Sequence, residues 1–293
     1  VAPVHWGLLL ALVLLWGSSY MLVELALRAL SPVEITGLRI STAALVLLLA
    51  LFASGRRLPR DPRFWVLATL MALVGNITPF FLISWGQQEL ESALAGILAA
   101  TTPLCVLLLA HFTLPDERLE RRQVAAFLLA FAGVAVLLGV EALTGLGGSL
   151  PRVLAQLAVI AAAACYGMAT VLARFMQGPD PLVTAATVML MAALLLSPFT
   201  WQALPALAGA GGLPLLALAV LGVLGTGVAA IIYFYLVGQV GARFVSLLNY
   251  LVPVWAAGLG ILLLGEVLPV SAWLALAMIL GGLVLTRKRS QSD

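Results

Sequence analysis

The chain is poor in charge. Of its 293 residues only 9% are Asp, Glu, Lys or Arg, against about 25% in soluble domains. So few polar groups cannot cover a water-soluble fold of this length. The shortage also removes nucleic acid as a partner. The net charge is only +3, and the basic residues sit in short polar breaks and in the tail, not on one basic face. Cysteine is nearly absent: Cys105 and Cys165 both lie inside apolar runs. There a thiol serves as a small packing residue, so no disulfide framework and no metal site is expected. Histidine is limited to His5 and His111, each near the end of an apolar run. No serine-nucleophile motif or acid pair shares a depth with either imidazole. That weighs against an intramembrane hydrolase or acyl transferase, so no catalytic residue and no cofactor is expected.

What fills the chain is apolar surface, at 63% of residues. Ten runs can each cross about 30 Å of hydrocarbon at about 1.5 Å per residue: 5–27, 32–53, 64–86, 91–112, 121–140, 152–176, 181–201, 214–238, 242–263 and 268–286. The first run has no basic stretch before it and reads as a span, not a cleavable signal. Lipid offers the backbone no hydrogen bonds, so the runs must be helices. The breaks at 54–63, 113–120, 141–151 and 202–213 are too short for a second soluble domain. Twelve Lys and Arg residues fall on the side of the N-terminus, from Arg56 to Arg289, and only Arg28 and Arg152 on the other. This bias predicts cytoplasmic termini.

The chain also repeats. At an offset of 150 residues Trp16-Gly17 meets Tyr166-Gly167, Gly75 meets Gly225 and Trp85 meets Tyr235. Pro103 meets Pro253, and Asp116 meets Glu266. Two halves are expected, 1–141 and 151–287, with a basic cytoplasmic tail at 288–293. Each half holds five spans, an odd number, so the second copy enters from the opposite side. Inverted repeats of this kind are common in secondary transporters, with the substrate near mid-membrane between the repeats.

With these residues in order, the chain resembles an EamA-type member of the drug/metabolite transporter superfamily. The resemblance rests on Trp16-Gly17-Ser18-Ser19, Pro32 with Arg39, Pro103, Pro253 through Gly265-Glu266, and Gly281-Gly282. It covers nearly the whole chain and is most similar to the YddG-like amino-acid exporters. It implies an all-α integral membrane fold of ten helices in two inverted five-helix repeats, carrying small metabolites across the inner membrane. The sole lysine, Lys288, lies in the tail. That weighs against the sugar-nucleotide and triose-phosphate branches, whose substrates call for buried cations. The small multidrug antiporters place a proton-exchanging Glu at the centre of span 1, and no acid stands there.

Eight polar or aromatic residues fall near mid-depth on symmetry-related spans: Trp16, Asn76, Thr101, Thr102, Tyr166, Thr226, Asn249 and Tyr250. Together they suit a central cavity for a small, partly apolar zwitterion. Taken singly, Ser, Thr and Asn equally serve as hydrogen-bonding glue between helices. Pro79, Pro103 and Pro253 interrupt spans and mark kinks, for gating or as fixed bends. Arg39 lies about 10 Å along span 2. A charge at depth calls for a partner, and Glu24 or Glu34 is the expected one, as a structural or outer-gate lock. Glu266 is expected to cap the helix that follows it. The function expected is export of neutral or aromatic amino acids and related metabolites by alternating access. The alternative is a drug or quaternary-cation exporter. The partners are a small molecule and the lipid bilayer.

Overall fold

The computed structural model describes residues 1–113, 120–144, 150–176 and 180–286. Asp116, Arg118, Gly178, Pro179 and the tail from Arg287 onward lie outside the described residues. Every described element is helical. The first half holds α1 (Pro3–Leu27), α2 (Pro32–Ala53), α3 (Pro62–Ala72), α4 (Thr78–Gly86), α5 (Ser92–Ala99), α6 (Thr102–Thr113) and α7 (Arg121–Thr144). The second holds α8 (Leu150–Ala173), α9 (Pro181–Gly209), α10 (Gly212–Gly222), α11 (Ala229–Val240), α12 (Ala242–Val245), α13 (Leu248–Leu264) and α14 (Val270–Thr286). π-Helical turns at Leu73–Ile77 and Val223–Val228 join α3 to α4 and α10 to α11.

The helix ends follow from local chemistry. Pro3, Pro32, Pro62 and Pro181 open helices, where a missing N–H costs nothing. The Asp61 and Asp180 side chains accept from the N–H groups of Arg63 and Leu182, at 2.9 and 2.8 Å. Gly265 adopts φ 69° and turns the chain out of α13, letting the Glu266 N–H reach the Gly260 carbonyl at 3.0 Å.

Eight helical stretches are long and apolar enough to cross a membrane, while Leu248–Leu264 and Val270–Leu285 are shorter. The ninth expected span, 242–263, is cut by a turn at Ser246 and Leu247. The seventh is longer than expected: α9 runs through Pro198 and Pro205 to Gly209. Pro198 cannot donate to the Leu194 carbonyl, and the Ser197 hydroxyl donates to it instead, at 2.8 Å. Large apolar side chains such as Leu49, Phe131 and Leu262 stand exposed along the helices. In water this surface would aggregate; in lipid it is the solvated one.

Packing repeats with the sequence. α1 packs on α13, and α8 packs on α6. α1 packs on α10 and α11, and α8 packs on α4. α2 packs on its own counterpart α9, as does α7 on α14. Close approaches obey the same offset. A Cβ on Gly17 would come 2.6 Å from Trp255 Cδ1, and one on Gly167 would come 3.0 Å from the Cys105 carbonyl carbon. Cys105 stands 150 residues before Trp255. Likewise Gly75 meets Ala169, and Gly225 meets Ser19. Small residues bring these helices together where no hydrophobic force from water operates.

Candidate functional site

The two π turns carry the central polar groups. In the first, Asn76 Nδ2 reaches back to the Met71 carbonyl at 3.5 Å, a long contact. In the second, the Thr226 hydroxyl donates to the Leu221 carbonyl at 2.9 Å. Asn76 and Thr226, like Met71 and Leu221, are 150 residues apart. Each side chain therefore reaches a carbonyl five residues back, the same spacing as the hydrogen bonds of the widened turn. Pro79 opens α4 just after the first turn and cannot supply an N–H there.

Thr226 also accepts from Arg39 Nε at 2.7 Å. Gly222 makes that contact possible. A Cβ there would come 2.7 Å from the Thr42 Cβ and 3.2 Å from the Arg39 carbonyl, so α10 lies directly on α2. Beneath the guanidinium lies the Phe80 ring, 3.9 Å from Cζ to centroid, a cation–π contact. Tyr20 and Tyr166 stand within electrostatic reach of the same charge. Arg39 is only 8% exposed. Among the described residues no carboxylate pairs with it; the two ion pairs are Arg56–Asp180 and Arg152–Glu91.

The structure thus corrects the expected partner of Arg39, which is Thr226 and neither Glu24 nor Glu34. The Glu34 carboxylate stays at its own helix start, accepting from Ser31 N and Oγ, both at 2.7 Å. Glu24 lines a cavity of about 270 Å³ with Arg28, Gln87, Glu89, Glu91 and Glu266. None of the eight expected cavity residues lines it. Glu266 does not cap the helix after it. Its carboxylate caps α5 in the other half, accepting from Ser92 N at 2.8 Å and Ala93 N at 2.9 Å.

The eight residues divide. Thr226 touches Arg39, and Tyr166 stands within electrostatic reach of it. Trp16 stacks at a tilt on Tyr233, 5.4 Å between centroids. Thr101 and Thr102 serve the break between α5 and α6, donating to the Leu98 and Ala99 carbonyls at 2.7 and 2.8 Å. Ala99 is the carbonyl that Pro103 leaves without its usual donor. Tyr250 donates to the Leu283 carbonyl at 2.9 Å and packs with the α5, α7 and α14 core. The Asn249 side chain is half-buried. Pro103 lies in the first turn of α6, and Pro253 lies inside α13. Tyr20, Phe80 and Tyr233 were not foreseen. Tyr20 is one helical turn beyond Trp16, which was the available signal.

A duplicated bundle of apolar helices, interrupted at matching places around polar groups, defines a multi-pass membrane protein of transporter type. The sequence profile of the EamA-like transporter family matches residues 5–139 and again 153–288. The chain belongs to that family. It is 28% identical over 281 residues to the inner membrane transporter YedA of Escherichia coli (strain K12), covering 96% of this chain and 89% of YedA. It is also 28% identical over 292 residues to a probable terminal-alkyne amino-acid exporter of Streptantibioticus cattleyicolor, covering 97% and 93%. A crystal structure of a protein 26% identical superposes with a TM-score of 0.67, over 98% of this chain and 97% of that one.

Proposed function

We propose that the protein is an inner-membrane exporter of amino acids, neutral or aromatic, and of related small metabolites, working by alternating access. The observation that carries this reading is the exchange of contacts between halves: the π turns, and the close approaches at Gly17 and Gly75, recur 150 residues on with their partners swapped. Two halves related in this way have two equivalent arrangements, one open to each side. The halves are 1–141 and 151–287, each with five crossings. The second is inverted, and both termini, with the basic tail 288–293, are cytoplasmic. The interruptions at the π turns, at Thr101 and at Ser246 supply the polar groups a cargo meets on its way. The named cargo of the Streptantibioticus relative supports an amino acid over other metabolites.

A cation exporter is the second reading. The four carboxylates around the cavity of about 270 Å³ favour it, being Glu24, Glu89, Glu91 and Glu266. The buried charge of Arg39 opposes it. Counterflow in proteoliposomes separates the two. Vesicles loaded with unlabelled amino acid are expected to accumulate external tracer of the same amino acid. Folded protein that exchanges lipophilic cations but no amino acid would overturn the amino-acid reading.

A further inference from the structure

Duplication pairs four of the eight residues expected at mid-depth. Asn76 has its match in Thr226, and Trp16 in Tyr166. Arg39 has none. At the corresponding place stands Met189, 6% exposed, packed in the core that α2, α3 and α9 share. The scaffold therefore builds its second half around an apolar side chain at this position. A buried cation in the first half is not required by the fold.

The surroundings of Arg39 hold the charge without neutralising it. Thr226 takes Nε, and Phe80 supports one face of the plane. Both are neutral groups. The donors on Nη1 and Nη2 have no acceptor among the described residues, and neither is a fully enclosed atom, so the Nη edge is open to a ligand while the charge still lacks a counter-ion. Fixing Nε and one face holds the fork in a single orientation, with its Nη edge presented to whatever arrives. That edge matches the two oxygens of a carboxylate. One cation balances one carboxylate. A phosphate dianion would call for more positive charge, and Arg39 is the only buried Lys or Arg among the described residues.

We propose that Arg39 is the anion anchor of the transport path, holding the carboxylate of the cargo on its Nη edge. This rests on the transport reading and narrows it to cargo with one carboxylate and a neutral side chain. Arginine is the binding group, and Thr226 and Phe80 are positioning residues.

The test measures binding and transport separately on the full chain. Phenylalanine, leucine and serine are each compared with their decarboxylated amines and their methyl esters. Binding is read by thermal shift of purified protein in detergent, and transport by competition in counterflow. The wild type is expected to bind and exchange at least one of the acids. Its amine and ester should compete about ten- to hundredfold more weakly, the range for a lost hydrogen bond to a charged group. In Arg39→Gln the preference of acid over amine should vanish, and Arg39→Lys should restore part of it. Amines and esters that compete as well as acids in the wild type overturn the anchor while leaving the transporter intact. Binding of acids through Arg39 without counterflow supports the anchor and overturns transport. An absence of acid binding overturns the anchor, and the wild-type comparison decides the matter even where a variant does not fold.

Discussion

Glu266 joins the two halves through one contact, and its removal makes a quantitative test of the packing. The carboxylate accepts from Ser92 N and Ala93 N at 2.8 and 2.9 Å, across 174 residues of sequence. Each bond to a charged acceptor contributes about 1.5–3 kcal/mol when well shielded. Glu266 is half-buried, so water recovers part of the loss and the lower end applies. Glu266→Ala is therefore expected to cost about 2–4 kcal/mol, more than an ordinary cap at about 1 kcal/mol. Glu266→Gln keeps one acceptor oxygen and turns an amide N–H₂ toward the other N–H, for about half that loss. Gly260 supplies the companion. A Cβ there meets Glu266 Oε2 directly and comes 2.9 Å from the Ala93 Cβ. Gly260→Ala should push the carboxylate off the α5 N-terminus. The free energies are read from unfolding in mixed detergent and SDS micelles, followed by circular dichroism. The double variant should lose less than the sum of the single ones, since both act on one cap. A Glu266→Ala protein within about 0.5 kcal/mol of the wild type, or strict additivity, would refute the reasoning.

Three further outcomes follow from the same contacts. Gly17→Ala forces a methyl against the Trp255 ring and the Val252 carbonyl, and should destabilise by about 1–3 kcal/mol, with a change in tryptophan fluorescence. Unchanged emission and stability would mean that α1 and α13 are not held this close. Thr226→Val removes the acceptor of Arg39 Nε while keeping the side-chain shape. It should cost about 1–3 kcal/mol in the same unfolding assay, and a neutral result would place the guanidinium elsewhere. Arg56→Ala breaks the pair with Asp180, whose side chains are 44% and 26% exposed, and should cost less than about 1 kcal/mol. A larger loss would show that the pair locks α2 to α9.

The helical segments and their repeat were legible in the sequence because lipid imposes one rule on every crossing. A long apolar run must close its own backbone hydrogen bonds, and length alone then locates it. The edges were less legible. α9 continues past residue 201 because Ser197 covers the carbonyl that Pro198 abandons, a substitution of one donor for another that hydropathy does not register. The candidate site was legible only as a set of depths. Position within a run gives height in the membrane but not direction around the helix, so Thr226 and Tyr250 looked equivalent. One faces Arg39 and the other the α14 backbone.

The sequence by itself determined the solvent, the helical class and the duplication. A chain with 9% charge and recurring apolar runs has no other stable arrangement, and an offset shared by prolines, glycines and acids requires no coordinates to detect. The tertiary structure alone decided the partners. Arg39 was expected beside an acid because nearby sequence offered Glu24 and Glu34. Folding set α10 against α2 through Gly222 and delivered a hydroxyl 187 residues away. Glu266 lies next to α14 in sequence, yet it caps α5. Side-chain partnership is settled by which helix faces pack, and in a bundle of similar apolar helices that choice is made by small residues and widened turns distant in sequence from the groups they bring together.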